Sequence, residues 1–550
     1  MLLWLRQYRR SMLAGDISAG IVVAMMMVPQ GMAYALVAGL PPVVGLYASI
    51  VPPLLYALFG SSMTQSVGPM AITSLMTGAA LASLGATPGT GLYLVLAAQM
   101  ALISGAVLLL CGLLRIGFIA NFFSRPVMSG FTIGAALVIA WGQVGTLLGG
   151  GVRQPHLASA ALGLGSLAVL MLARSHFAAL LRRFGVKASV ADVCARLAPM
   201  FVVVGATVLS SVLQLDLLGV RITGTVPSGL PSLNLAMSNA HWGKLVQPAL
   251  LIAFVSFLCS MSAAQTLALR RQEKLQSNYE LIGLGVANLG SALTGGFPVT
   301  GSISRSSVNF AAGANTPLAS VIAAILLGLA LVAPTGWLAL LPLPALAATI
   351  IVAVLGMLEL ATLRTAWRYD RSDALALLAT AGGVIVLGVE AGVIIGVLLS
   401  MANLIWRASR PHIAVLGRIP GSEHFRNVDR YPAETLPDVL MLRIDANLFF
   451  GNVEAVNARV EEQINSHPAT RHLVLVMTAV SEIDTTALFG LSDLNQSLKR
   501  RDIGLHLAEV KGPVMDRLKE SDLPAALTGR IFLSAALAVE HLTRKNDYDI

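Results

Sequence analysis

The sequence predicts a polytopic α-helical membrane protein: fourteen transmembrane segments as 7+7 inverted repeats with two broken helices, then a C-terminal cytoplasmic α/β domain. Three observations carry this. The 550-residue chain is 56% hydrophobic and 12% charged, with a mean hydropathy of +0.76, a balance that water-soluble globular chains rarely show. Apolar stretches of the roughly 20 residues needed to cross a ~30 Å hydrocarbon layer recur from Ile17 to about Trp406 and then stop. Two shorter, more polar pieces interrupt the series.

Twelve apolar segments are read near 17–38, 41–59, 91–114, 126–148, 158–174, 198–215, 246–269, 279–294, 317–335, 338–358, 373–389 and 391–406. The interrupted pieces are "VGPMAITSLMTGAALASL" from Val67 and "TGSISRSSVNFAAGA" from Thr300. Each opens on residues that punctuate regular structure, so each is read as a broken helix. Seven elements on either side of the loop from Asp216 to Pro248 make these pieces third and tenth. Seven is odd, so the halves must be inverted, and matched interruptions in inverted halves mark a transporter's binding site near the midplane.

Basic residues give the sidedness. With the N-terminus inside, the inner loops collect Arg6, Arg9, Arg10, Arg115, Arg125, Arg182, Arg183, Lys187, Arg270, Arg271, Lys274, Arg364, Arg368, Arg371, Arg407 and Arg410. The outer loops hold little beyond Arg153, Arg221 and Lys244. Both termini are therefore expected in the cytoplasm, with the chain multi-pass in the inner (cytoplasmic) membrane. Residues 1–411 carry 22 Lys and Arg against 9 Asp and Glu, and 412–550 carry 15 against 19. The basic excess belongs to the membrane part and reports orientation, so no nucleic-acid partner is implied.

After 411 the sequence alternates strands and helices: 439–445, 452–465, 473–477, 485–500, 503–509 and 534–542, a small sheet covered by helices. The expected domains are thus 1–411 in the membrane and 412–550 in the cytoplasm. Cys111, Cys194 and Cys259 are odd in number and far apart, which suggests neither disulfides nor a zinc site. No removable signal peptide is read at the N-terminus. No metal, cofactor, nucleotide loop or hydrolase motif is read, and "GLGVANLG" fits a packed membrane helix rather than a dinucleotide fingerprint.

The chemistry centres on "GGFPVTGSISRSSVNF", 295–310. A helix starting near Ser302 or Ile303 leaves its first N–H groups unpaired at the membrane centre. A matching start near Pro69, with Ala71 and Ile72 offering N–H groups, faces it from the other half. Two positive helix ends and the Arg305 guanidinium then converge on one point, which an anion answers. None of the nine acidic residues of the membrane part falls mid-span, so the partner of Arg305 is expected from outside the protein. His156, His176 and His241 lie in loops or at span ends, so no imidazole relay for protons is visible.

At "VPQGMAYALVAGLPPVVGLYASIVPPLLYALFGSS" (28–62) the chain resembles the SulP anion permease family, the sulfate permease and solute carrier 26-like proteins. The likeness continues through "VGPMAITSLM" (67–76), "FSRPVMSGFTIGAA" (123–136), "NYELIGLGVANLGSALTGGFPVTGSISRSSVNFAAGA" (278–314) and "VSEIDTTALFGL" (480–491), and the tail is similar to a STAS domain. The resemblance implies a mobile core of elements 1–4 and 8–11, a gate of 5–7 and 12–14, and a homodimer formed partly through the STAS domain. It places Gln30, Tyr34, Met70, Ser304 and Arg305 at anion-contacting positions.

The resemblance implies transport of a small anion, sulfate first, by elevator-like alternating access. Chloride, bicarbonate and dicarboxylates are the other candidate substrates, lipid is the surroundings, and a cytoplasmic protein is a candidate partner of the STAS domain. Bacterial relatives often carry a carboxylate on the eighth helix, where Cys259 falls here. Exchange or uniport is therefore expected over proton- or sodium-coupled carriage of bicarbonate or a dicarboxylate. The rival of another class is a non-transporting sensor or scaffold acting through its STAS domain. Thr485, within "DTT" where some STAS proteins are phosphorylated, is expected to cap a helix.

Overall fold

The computed structural model describes residues 4–5, 8–118, 124–150, 154–233, 242–333 and 335–543. Arg6, Arg153, His241 and the side chain of Arg270, all used above for sidedness or for the histidine count, lie outside what is described. The chain divides into two compact units, Met1–Ser400 and Met401–Ile550.

In the first unit, besides short helical turns such as Ala178–Arg183 and Gly336–Ala339, the main helices are α1 (Leu13–Val37), α2 (Pro42–Tyr47), α3 (Val51–Phe59), α4 (Ala71–Ser83), α5 (Gly91–Leu113), α6 (Arg125–Leu148), α7 (Leu157–Leu172), α8 (Ala188–Arg196) and α9 (Ala198–Val212). They continue with α10 (Trp242–Arg271), α11 (Ser277–Leu293), α12 (Ile303–Ala311), α13 (Leu318–Val332), α14 (Leu343–Leu355), α15 (Leu360–Tyr369), α16 (Arg371–Leu387) and α17 (Val389–Ser409), the last running into the second unit. A helix stands at each of the fourteen places read from the sequence. Among the described residues eight helical spans are long and apolar enough to cross a membrane, or nine if α8 and α9, bent by 53°, count as one. At about 1.5 Å per residue, α4 and α12 are too short to cross alone.

These two short helices open from a two-stranded ladder inside the helix bundle. Strands β1 (Val67–Gly68) and β2 (Thr300–Gly301) pair antiparallel, Val67 with Gly301 and Gly68 with Thr300. Antiparallel pairing sends α4 and α12 away in opposite directions, the local form of an inverted arrangement. Gly301 is required here, because a Cβ would land on the Gln65 side chain.

Unwound backbone inside a membrane protein must find its hydrogen bonds within the protein. Neighbouring helices supply them. The Asn288 amide of α11 donates to the Val299 carbonyl and accepts from the Val299 N–H, both at 2.9 Å, so it acts as one more strand partner. Ser291 Oγ donates to the Phe297 carbonyl at 2.7 Å, and Thr300 Oγ1 to the Ser256 carbonyl of α10 at 2.6 Å. Gln65 bonds Ser260 of α10, and Asn309 of α12 donates to the Thr64 carbonyl at 2.9 Å.

Two fully buried carboxylates fasten helix ends, in agreement with the placement of acids near span ends. Asp16, in the first turn of α1, accepts from the N–H groups of Asn315 and Thr316 at 2.6 and 3.0 Å and from the Thr316 hydroxyl. Glu280, in the first turn of α11, accepts from Tyr56 Oη, from the Ser61 hydroxyl and N–H, and from the Ser62 N–H.

The second unit holds a six-stranded sheet of β3 (Ile413–Arg418), β4 (Phe425–Asn427), β5 (Val439–Ile444), β6 (His472–Val476), β7 (Gly504–Ala508) and β8 (Ile531–Phe532), ordered β4-β3-β5-β6-β7-β8. Strands β5 to β8 are parallel, while β3 and β4 form an antiparallel edge. The helices include α18 (Val453–Ser466), α19 (Thr485–Lys499) and α20 (Ala535–Thr543). One apolar core lies beneath α18 and α19 and another beneath α20, on opposite faces of the sheet. The cap of α19 is Asp484, which accepts the Ala487 N–H at 2.8 Å. Thr485 is therefore the first helical residue and not the cap, because the shorter-reaching hydroxyl yields to a carboxylate one position earlier.

Candidate anion-binding site

The site is assembled by the strand pair. Helix α12 starts at Ile303 with Ser302 as its cap, whose hydroxyl accepts the Arg305 N–H at 3.4 Å. The N–H groups of Ile303 and Ser304 remain in the unpaired first turn. On the other side Met70, extended at φ −137°, caps α4, and the first-turn N–H groups belong to Ala71, Ile72 and Thr73.

Arg305 is the largest fully buried side chain among the described residues, 1% exposed. Its Nη1 donates to the Pro69 carbonyl at 2.6 Å, across the ladder and just ahead of the other helix start. Nε and Nη2 are buried and have no hydrogen-bond partner among the described residues. No carboxylate pairs with it there either. A guanidinium offers five N–H donors in a planar fork, and those on Nε and Nη2 are unused among the described residues.

Helix α1 supplies another wall. Met27, Gln30 and Tyr34 fall on one stripe by helical spacing. The Met27 Cε and Arg305 Nη2 both lie within 3.3 Å of where a Cβ on Gly68 would stand, so this stripe faces the guanidinium. Gln30 is half-buried and makes no side-chain hydrogen bond among the described residues. Tyr34 is buried, packs with Ala71 of α4, and is within electrostatic reach of Arg305. Pro29 within α1 carries no N–H, so the Met25 carbonyl lacks its helical donor immediately beside Gln30.

The remaining expected residues divide by exposure. Met70, Ile72 and Cys259 are buried together in the main apolar core, with Cys259 between the two α10 residues, Ser256 and Ser260, that hold the strand pair. Ser304 is exposed, on the open side of the first turn of α12. The structure thus brings Arg305, Met70, Ala71, Ile72 and Tyr34 around the two helix starts, with Gln30 and Ser304 at the accessible margin and Cys259 behind the strands. An apolar cavity of about 230 Å³, lined by Ala24, Val28, Pro29, Val203, Leu327 and Trp337, opens on a different face of α1 and offers an anion nothing polar.

Sequence reasoning missed the Pro69 carbonyl, Gln65 and Asn288. The signal for Asn288 was present, since a lone amide in the apolar "LIGLGVANLGSAL" needs a partner. A carbonyl acceptor leaves no mark in sequence.

Two interrupted helices meeting head to head around one buried cation define a membrane transport protein rather than an enzyme. The comparisons agree. Residues 13–380 match the model of the sulfate permease family, and residues 430–538 match the STAS domain. A probable sulfate transporter of Mycobacterium tuberculosis is 37% identical over 552 residues, covering 98% of this chain and 97% of that protein. The chloroplastic sulfate transporter 4.1 of Arabidopsis thaliana is 35% identical, covering 92% and 76%. The chain belongs to the sulfate permease family.

Among solved structures, the murine solute carrier 26 family member A9 anion transporter, in an inward-facing state, superposes with a TM-score of 0.88 at 22% identity, covering 99% of this chain and 94% of that one. The transmembrane domain of the cyanobacterial bicarbonate transporter BicA gives 0.60 at 22% identity, covering 71% and 98%. The fold is that of these transporters, with a STAS domain following the membrane part.

Proposed function

We propose that this protein is a secondary transporter of a small inorganic anion, sulfate first, working by elevator-like alternating access as an exchanger or uniporter. The observation that carries this reading is Arg305: fully buried, tied by one N–H to the Pro69 carbonyl, its Nε and Nη2 without a hydrogen-bond partner among the described residues. A buried cation without a carboxylate is costly in a membrane, and an anion bound there offsets the cost. In this reading the site comprises Gln30, Tyr34, Met70, Ala71, Ile72, Cys259, Ser304 and Arg305. The sulfate transporters among its relatives support the choice of anion.

The membrane part, 1–411, is read as fourteen segments in two inverted sets of seven. The STAS domain, 412–550, regulates, binds a cytoplasmic partner or joins a homodimer. Both termini face the cytoplasm from the inner membrane. The test is uptake of labelled sulfate into proteoliposomes, with chloride, bicarbonate and fumarate as competitors. Saturable sulfate uptake is expected. Preferential competition by bicarbonate or fumarate would replace the substrate, and absence of any flux would favour a sensor or scaffold.

A further inference from the structure

Arg196, the last residue of α8, donates from Nη1 to the Ser307 carbonyl of α12 at 2.9 Å. Its side chain is otherwise exposed, and no acidic residue pairs with it among the described residues. The nearest acid in sequence, Asp192, is held by Arg182 at 2.7 Å. The carbonyl it meets has a telling position. On α12, Ile303, Ser304 and Ala311 are exposed and Ser307 is half-buried, whereas Arg305, Ser306, Val308 and Asn309 are buried. Ser304, Ser307 and Ala311 follow the spacing of a single helix stripe. Arg196 therefore touches α12 on its one accessible face, about 5 Å along the axis from Ser304.

The buried side of the same junction is apolar. Leu197 and Val193 pack with Val22, Met26 and Val308. An anion cannot be stabilised there, whereas the accessible stripe beside Arg196 carries the hydroxyls of Ser304 and Ser307. We infer that Arg196 is an anion-capture residue: its guanidinium holds the incoming anion at the mouth of this stripe before the anion passes to Arg305. The inference rests on the transport reading above. A cation at the mouth of a low-dielectric cleft raises the local anion concentration and the capture rate, and added salt screens the effect. One donor stays on Ser307 and the rest of the fork remains for the ligand.

The test is initial-rate uptake of labelled sulfate into proteoliposomes at low and high ionic strength, with Arg196→Gln and Arg196→Lys beside the native protein. Arg196→Gln is expected to raise KM roughly three- to tenfold at low ionic strength while kcat changes by less than about twofold. The difference should shrink at high ionic strength, and Lys should restore most of it, because attraction at a distance needs only the charge. A fall in kcat with KM unmoved, or an equal loss in Arg196→Lys, would make the Ser307 bond a structural fastening and overturn the inference. Absence of sulfate binding and uptake in the native protein would instead remove the transport reading, and this inference with it.

Discussion

Arg305 Nη1 donates to the Pro69 carbonyl at 2.6 Å, so the cation carried by one broken helix is anchored to the backbone that starts the other. The bond runs across a ladder of only two residues per strand. It fixes the guanidinium before any ligand arrives, while leaving Nε and Nη2 for that ligand. A pre-positioned fork loses less conformational entropy on binding than a free side chain would. The same bond ties the two interrupted helices together at one point.

Arg305→Ala is expected to abolish or strongly weaken anion binding and leave the fold intact, because no carboxylate is orphaned by its loss. Arg305→Lys should restore only part, since a point charge replaces a planar fork. Calorimetric titration with sulfate, beside size-exclusion behaviour in detergent, checks both. Native affinity in well-folded Arg305→Ala would remove Arg305 from the site.

Asn288→Ala tests the scaffold behind the cation. It would leave the Val299 N–H and carbonyl buried without their side-chain partner, at a cost of about 2–4 kcal/mol. The strand pair should loosen, lowering both thermal stability and anion affinity. A thermal unfolding curve coinciding with that of the native protein would mean that β2 does not depend on this amide.

How much of this was legible beforehand follows from what leaves a trace in sequence. The two interruptions were readable because Gly, Pro and Ser at 68–69 and 301–302 cannot extend an apolar helix. Arg305 was readable because a cation in apolar surroundings stands out. The alternating pattern of the tail gave β5 to β7, but not the edge strand β3, nor β4, which is three residues long, nor β8, which is two. Pairing contacts were the opaque part: the Pro69 carbonyl, the bond from Arg196 to Ser307 and the Glu280 cluster join residues far apart in sequence, and chain folding alone brings them together.

The STAS domain should lose stability in acid through His506. The Arg530 N–H donates to His506 Nδ1 at 3.0 Å, so the proton sits on Nε2 and is donated to His472 Nδ1 at 3.2 Å. Burial, with the neighbouring His472, His541 and Arg530, brings the His506 pKa down to about 4. An unfolded histidine titrates near about 6.5, so between these values the unfolded chain binds more protons and stability rises with pH. The contribution is complete above about pH 6.5 and declines toward pH 4. Limited proteolysis of the full chain across this range should show accelerated cleavage in β6 and β7, flattened in His506→Gln. An equal pH response in that variant would assign the acid lability elsewhere.

Deletion of the chain after about Arg410 separates binding from regulation. Each unit has its own apolar core, and every residue assigned to the anion lies in the first. The truncated protein should bind sulfate with native affinity while its rate, trafficking or oligomeric state changes. Loss of affinity in a stable truncation would mean that the STAS domain shapes the site.

Coupling is the property that Cys259 tests. It is buried in the apolar core beside Ser256 and Ser260 of α10, at the position where the resemblance to the family leads one to expect a carboxylate. With Arg305 as a fixed charge, anion movement should respond weakly to an imposed proton or sodium gradient at clamped voltage. Cys259→Glu would place a carboxyl in the core behind the strand pair that holds Arg305. While ionised it should compete with the anion for the Arg305 field and weaken affinity, and the loss should be relieved as pH falls and the carboxyl becomes neutral. Uptake into proteoliposomes with and without each gradient measures the first expectation, and titration of the variant across pH measures the second. Strong acceleration of the native protein by either gradient, with a substrate that does not itself titrate, would locate the coupling group elsewhere, and Glu280, the buried carboxyl of α11, would be the next residue to replace.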